Sequence, residues 1–180
     1  MDSKQIRYIL FLGIGLVVAA CHSEGNNVLN IPQYEGPTQE VYDVVHYYSD
    51  SAVVKLKIDA PVQLDFEDGD SEFPKGIFIE FYDKKGEVTN TLRANYCKYD
   101  HEEKVYKATG DVVMKALKTN EQLNTEELFW NPDKEIVYTE KFVRIETEDN
   151  IIKGNGLESN QDFTEWTIKN SVGTIALDNQ

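Results

Sequence analysis

Val54-Lys55-Leu56-Lys57-Ile58-Asp59-Ala60-Pro61-Val62-Gln63-Leu64-Asp65-Phe66 decides the fold. Every second residue, from Val54 to Phe66, is apolar, and between them stand Lys, Lys, Asp, Pro, Gln and Asp. A helix turns about 100° per residue and would scatter both classes around its circumference. A strand places one set on a dry face and the other on a wet face. At about 3.3 Å per residue the run could reach roughly 43 Å. That is long for one straight strand, so a kink is expected at Pro61, on the wet side, where the missing N–H also suits a bend or an edge.

The neighbouring segments repeat the theme. Val41 to Tyr48 is a β-branched and aromatic run. Glu67 to Glu72 reads as an acidic, solvated loop; its order does not match an EF-hand, where Gly stands sixth and Glu twelfth. Ile77, Ile79 and Phe81 alternate with Phe78, Glu80 and Tyr82, and Asp83-Lys84-Lys85-Gly86 is a hairpin turn. Leu92 to Lys115 then lies over Leu123 to Glu146 at an offset of 31 residues, without a gap. Tyr99 falls on Trp130, Ala108 on Thr139, Val112 on Val143 and Met114 on Ile145, and Val112 with Val143, and Met114 with Ile145, are expected to face the same side. Any two hairpin pairs share some of this pattern. Gly154 and Gly156 mark a bulge or a close backbone approach in the next strand. Phe163, Trp166 and Ile168 begin the last strands, and Val172 to Leu177 ends them. With turn signals every 8–12 residues and no helical period, the domain is expected to be all-β.

The first forty residues have a different character. Lys4 and Arg7 precede an uncharged apolar run from Tyr8, and Val18-Ala19-Ala20 leads into Cys21. Small residues directly before a cysteine resemble a bacterial lipobox, which makes residues 1–20 a lipoprotein signal peptide and Cys21 the lipid attachment site. A retained single-span membrane anchor is the other reading, although the run is short for a bilayer. Residues 21–40, rich in Asn, Gly, Pro and Gln, read as a flexible tether, and 41–177 as the domain.

Charge and chemistry narrow the function. The formal net charge is −14, which argues against nucleic acid as a partner and against a basic pocket for anionic head groups; solubility alone also explains it. With Cys21 acylated, Cys97 has no disulfide partner and reads as a small buried apolar residue. The three histidines, His22, His46 and His101, have no metal-site spacing. No serine sits in a Gly-x-Ser-x-Gly elbow and no glycine-rich loop precedes a helix. No enzyme activity, catalytic residue, metal or cofactor is expected.

Phe73-Pro74-Lys75-Gly76-Ile77, Ile79-Glu80-Phe81-Tyr82, the unit from Leu92-Arg93-Ala94 to Ala108-Thr109-Gly110-Asp111-Val112, and Leu123-Asn124-Thr125-Glu126-Glu127-Leu128 together resemble the LptC family, the periplasmic component of the lipopolysaccharide-export machine. The resemblance covers roughly Val41 to Ile175. It implies a single open β-jellyroll, a twisted, V-shaped antiparallel β-sandwich. It also implies a passive relay that accepts lipopolysaccharide from the inner-membrane ABC transporter and passes it to an LptA-like periplasmic bridge protein, with the first and last strands as exposed edges that pair with those partners. The best-known members keep an N-terminal membrane helix, whereas this chain ends its apolar run at a lipobox. An acyl anchor in the periplasm, at the inner membrane, is the corresponding expectation.

Alternation nominates the groove that would hold acyl chains: Val54, Leu56, Ile58, Leu64 and Phe66 on the long strand, Ile77, Ile79 and Phe81 on the next, Val112, Met114, Val143 and Ile145 in the two repeats, and Trp166 and Ile168. Each of these also suits a plain core, and one bulge would reverse a strand's faces. The competing function is a lipid-anchored structural or adhesion β-sandwich with a closed core and no ligand.

Overall fold

The alternating run forms one unbroken strand, Val53–Asp65, surrounded by other strands and turns. The computed structural model describes residues 34–176. The expected signal peptide, Cys21 and most of the tether lie outside them. Among the described residues there is no helix, and eleven strands form one antiparallel sheet. In chain order these are β1 (Gln39–Asp50), β2 (Val53–Asp65), β3 (Ser71–Phe73), β4 (Ile77–Tyr82), β5 (Val88–Ala94), β6 (Tyr96–Asp100), β7 (Val105–Ala116), β8 (Glu121–Asn131), β9 (Ile136–Glu146), β10 (Asn150–Asn160) and β11 (Trp166–Ala176). β1 begins two residues inside the expected tether, because Gln39 and Glu40 already pair with Asp65 and Leu64. Ser71 and Glu72, read as loop, belong to β3, which bridges β2 and β6.

The connectivity is a meander of broken strands. β3 and β4 are two halves of one line interrupted at Pro74–Gly76, and β5 and β6 two halves of another interrupted at Asn95. β2 pairs with β4 through Leu56–Asp59 and with β3 through Leu64–Asp65. β7 pairs with β6 through Val105–Thr109 and with β5 through Val113–Ala116. Each line therefore pairs with its neighbours in sequence, and β1 and β11 are left as the sheet's two edges.

The interruptions line up across the sheet. Pro61 stands opposite Asp43, whose φ is 50°. Gly76 has φ 92°, the Asn95 N–H donates to the Gly110 carbonyl at 2.9 Å, and Gly110 and Asp111 have φ 76° and 47°. Registers shift in β8 between Thr125 and Phe129, and in β10 between Asn155 and Leu157, where Gly156 has φ 76°. Bulges bend strands and sharpen their twist. A row of them makes a crease, and the sheet folds along it so that the two halves face each other. Phe81, on one half, meets Trp130, on the other, edge to face at 5.4 Å. The expected kink at Pro61 is part of this line. His46 stands opposite Ile58, five positions from Gln63, a separation of about 16 Å along a straight strand. Yet His46 Nε2 lies 2.7 Å from Gln63 Oε1.

The crease also exchanges faces. On one side of it Leu56, Ile58 and Ala60 point into the core; beyond it Gln63 shares its side of the sheet with inward-facing Val41, and Asp65 with Ser71. Val62 is buried but lies outside the main core cluster. Leu64 falls in a row with Glu72, Lys98 and Lys107, on the outer face. Inward residues similarly pass from Leu123 and Thr125 to Leu128 and Trp130 in β8, and from Gly154 to Leu157 and Ser159 in β10.

Two transverse rows run through the core, one per half. Ile58, Ile79, Leu92, Met114, Leu123, Ile145 and Ile152 lie opposite one another in succession. Across the crease the row is Phe73, Cys97, Ala108 and Leu128. Directly opposed side chains on one sheet face are the unit of packing, and Met114, Leu123, Leu128 and Ile145 have no exposed surface. The 31-residue offset carries β6 and β7 onto β8 and β9, crease included. Ala108 and Thr139, Val112 and Val143, and Met114 and Ile145 are all buried.

Candidate functional site

On the β1 side the two halves do not close completely. A cleft of about 480 Å³ lies between them, within the usual size of ligand sites. One wall is His46, Tyr47 and Tyr48 of β1 with Leu56 and Ile58 of β2. The other is Gln63, Ser71, Phe73, Tyr99, Tyr106 and Trp130, all beyond the crease, with Lys104, Pro132 and Asp133 in the turns at the mouth. A smaller hollow of about 280 Å³ shares Tyr48, Leu56, Trp130 and Pro132 and extends to Lys55 and Gln161.

The far wall is an aromatic ladder fixed by strand register. Tyr99 stands opposite Tyr106, and Tyr106 opposite Trp130. Tyr99 and Tyr106 have ring centroids 4.7 Å apart, and Tyr106 stacks on Trp130 at 4.9 Å. The Trp130 indole N–H donates to Gln161 Oε1 at 3.4 Å, which fixes the ring without presenting a polar group to the cleft. Burial pushes the Tyr106 phenol far above its ordinary pKa, so that phenol stays neutral. The same effect pushes Cys97, buried in the core opposite Phe73, up to about 12.

One corner of the cleft is polar. Gln63 Nε2 donates to Asp65 Oδ1 at 2.6 Å, and the Ser71 hydroxyl donates to the same oxygen at 2.6 Å. Because a carboxylate only accepts, the Gln63 amide nitrogen must face Asp65 and its oxygen must face His46, whose Nε2 therefore carries the proton in that contact. At the mouth, Lys104 pairs with Asp133 at 3.3 Å, both largely exposed. Asp70 ties the β2–β3 loop to the neighbouring turn: it holds Lys98 at 2.7 Å and accepts the His101 N–H at 3.0 Å. The Lys98 hydrogen bond, followed by that backbone N–H, lowers its pKa.

Of the positions nominated from alternation, Leu56 and Ile58 line the cleft. Ile77, Ile79, Phe81, Val112, Met114, Val143 and Ile145 are brought together deeper, as buried core. Trp166 and Ile168 are half-buried against that core, while Val54 and Phe66 are half-buried at either end of β2. Leu64 is separated from the rest by the exchange of faces. Tyr47, Tyr48, Phe73, Tyr99, Tyr106 and Trp130 were not nominated. The 31-residue offset aligned Tyr99 with Trp130, and that match was the available signal for two of them. Among the described residues no group of three His, Cys, Asp or Glu side chains could hold a metal.

Residues 45–177 match the sequence model of the family described as lipopolysaccharide-assembly, LptC-related. That span starts within β1 and takes in the crease, the cleft walls and both transverse rows. No curated protein matches the chain.

Proposed function

The chain belongs to the LptC-related family of lipopolysaccharide assembly, and from that membership we propose that it is a non-enzymatic periplasmic relay for lipopolysaccharide, holding acyl chains in the cleft between the halves of its creased sheet. The observation that carries this reading is the position of the cleft. Apart from one polar corner its walls are apolar and aromatic, and it opens beside β1, one of the two sheet edges.

An edge strand offers a row of free N–H and C=O groups, which natural proteins cover or use. β1 would add to a strand of the inner-membrane transporter, and β11 to an LptA-like bridge protein, by strand addition. Cargo entering at β1 meets Tyr47 and Tyr48 first and the Tyr106–Trp130 wall next. Energy for transport comes from the transporter's ATPase, and this domain does no chemistry. An acyl group on Cys21 would hold the chain at the periplasmic face of the inner membrane, with the segment up to β1 as its tether.

Photo-crosslinkers placed at Tyr47 and Tyr106 in the cleft, and at Ile79 and Met114 in the core behind it, test the reading in active cells. Lipopolysaccharide adducts are expected at the two cleft positions. Absence of adducts at all four positions refutes the relay and favours a closed structural sandwich.

A further inference from the structure

The cleft is not uniformly apolar, and its single polar corner says something about what fills it. Gln63 and Asp65 point inward because β2 exchanges its faces at the crease, and Ser71 of β3 stands opposite Asp65 on the same side. Without that exchange Leu64 and Phe66 would occupy this side. The corner is organised: Asp65 accepts from both Gln63 and Ser71, and Gln63 accepts from His46. It retains unused capacity. The Gln63 amide has a second N–H, and the Ser71 oxygen, which donates its only hydrogen to Asp65, has free lone pairs.

Such a corner does not suit a plain hydrocarbon chain, which would cover polar groups and give nothing back. Nor does it suit an anion. The nearest charge behind it is the Asp65 carboxylate, Lys104 at the mouth already faces Asp133, and the whole chain carries −14. A neutral group that both donates and accepts fits: a hydroxyl on a chain whose remaining length lies against Leu56, Ile58, Phe73, Tyr106 and Trp130.

We infer that the cleft selects a hydroxylated acyl chain over a plain one, with Ser71 accepting the hydroxyl hydrogen and the Gln63 amide donating to its oxygen. This deepens the relay reading and rests on it. Gln63 and Ser71 are specificity residues in this scheme, Asp65 orients both of them, and the aromatic ladder supplies affinity that is indifferent to the hydroxyl. A site built to hydrogen-bond a hydroxyl discriminates against the analogue that lacks it, because its own polar groups are then left covered and unpaired. This corner is half-exposed, so the effect is smaller than in a sealed pocket.

Two probes with the same uncharged sugar head separate the ideas: a tetradecanoyl ester and its 3-hydroxytetradecanoyl counterpart, titrated against the folded domain and followed by tryptophan fluorescence. About a tenfold preference for the hydroxylated chain is expected. Gln63→Leu and Ser71→Ala should each bring the two probes close together, chiefly by raising the plain chain's affinity, since the polar group it would cover is gone. Equal binding of both probes to the unsubstituted protein overturns the inference and leaves the relay standing. A preference that survives in both variants also overturns it. Failure of both probes to bind overturns the acyl-chain reading of the cleft, and this inference with it.

Discussion

Gly154 and Gly173 offer a matched test of how β11 packs on β10. Both are glycines in the same antiparallel pair, and neither has a positive φ. Alanine at either site should therefore gain about 0.4–1 kcal/mol by restricting the unfolded chain. They differ in space. A Cβ on Gly154 would run into Ile168 Cγ2 and lie 2.6 Å from the Asn170 carbonyl oxygen. At Gly173 it meets nothing within 4 Å. A clash with backbone cannot be relieved by a rotamer change, and overpacking of this kind costs about 1–3 kcal/mol. Gly173→Ala should be neutral to stabilising and Gly154→Ala destabilising; the chain-entropy gain is common to both, so they separate by the packing cost of about 1–3 kcal/mol. At about 1–3 kcal/mol per molar urea this displaces one midpoint from the other by roughly 1 M. Both tryptophans report the transition. Combining Gly154→Ala with Ile168→Ala should recover only part of the loss relative to Ile168→Ala alone, since Asn170 remains in place. Coincident midpoints for the two glycine variants, or complete recovery in the double variant, would refute this account of the β10–β11 register.

Two further outcomes follow from titrating groups. Cys97 is buried with its pKa pushed up to about 12, so almost no thiolate exists at neutral pH; alkylation of the folded domain by iodoacetamide should track global unfolding, and rapid labelling without unfolding contradicts the placement of Cys97. Asp70 has a folded pKa below its unfolded value, so its stabilisation is fully present above the ordinary value of 3.8 and fades as pH falls through the folded value. Asp70→Asn should flatten the acid limb of a midpoint-against-pH curve, and an unchanged limb rules out Asp70 as a contributor.

Sequence alternation is a local signal, and it served as far as local structure extends. It made β2 a strand and correctly put Leu56, Ile58, Ile79 and Phe81 on an inner face. The 31-residue offset went further: it matched hairpin to hairpin across the crease, because both copies carry the same interruption. Alternation could not show that β2 exchanges faces at Pro61, since the residues beyond it continue apolar-polar-apolar without a break. Leu64 was misplaced for that reason, and Gln63 and Asp65 were left on the wet side. β3 escaped notice because three residues cannot display a period. The cleft itself was least legible. Tyr47 and Tyr48 are adjacent and both line it, at a register shift between Tyr48 and Ser49. Tyr106 and Trp130 meet only through pairing that no single segment encodes.

The meander also sets an order in which the domain can assemble. From β7 to β11 each strand pairs with the one synthesised just before it, so closure involves only short loops and can proceed one hairpin at a time. Loop-closure cost and contact order are both low on this route. Every intermediate on it ends in an uncovered strand that templates the next. β11 occupies that position in the finished fold. Growth by another chain's strand would thus repeat the step by which this domain built itself.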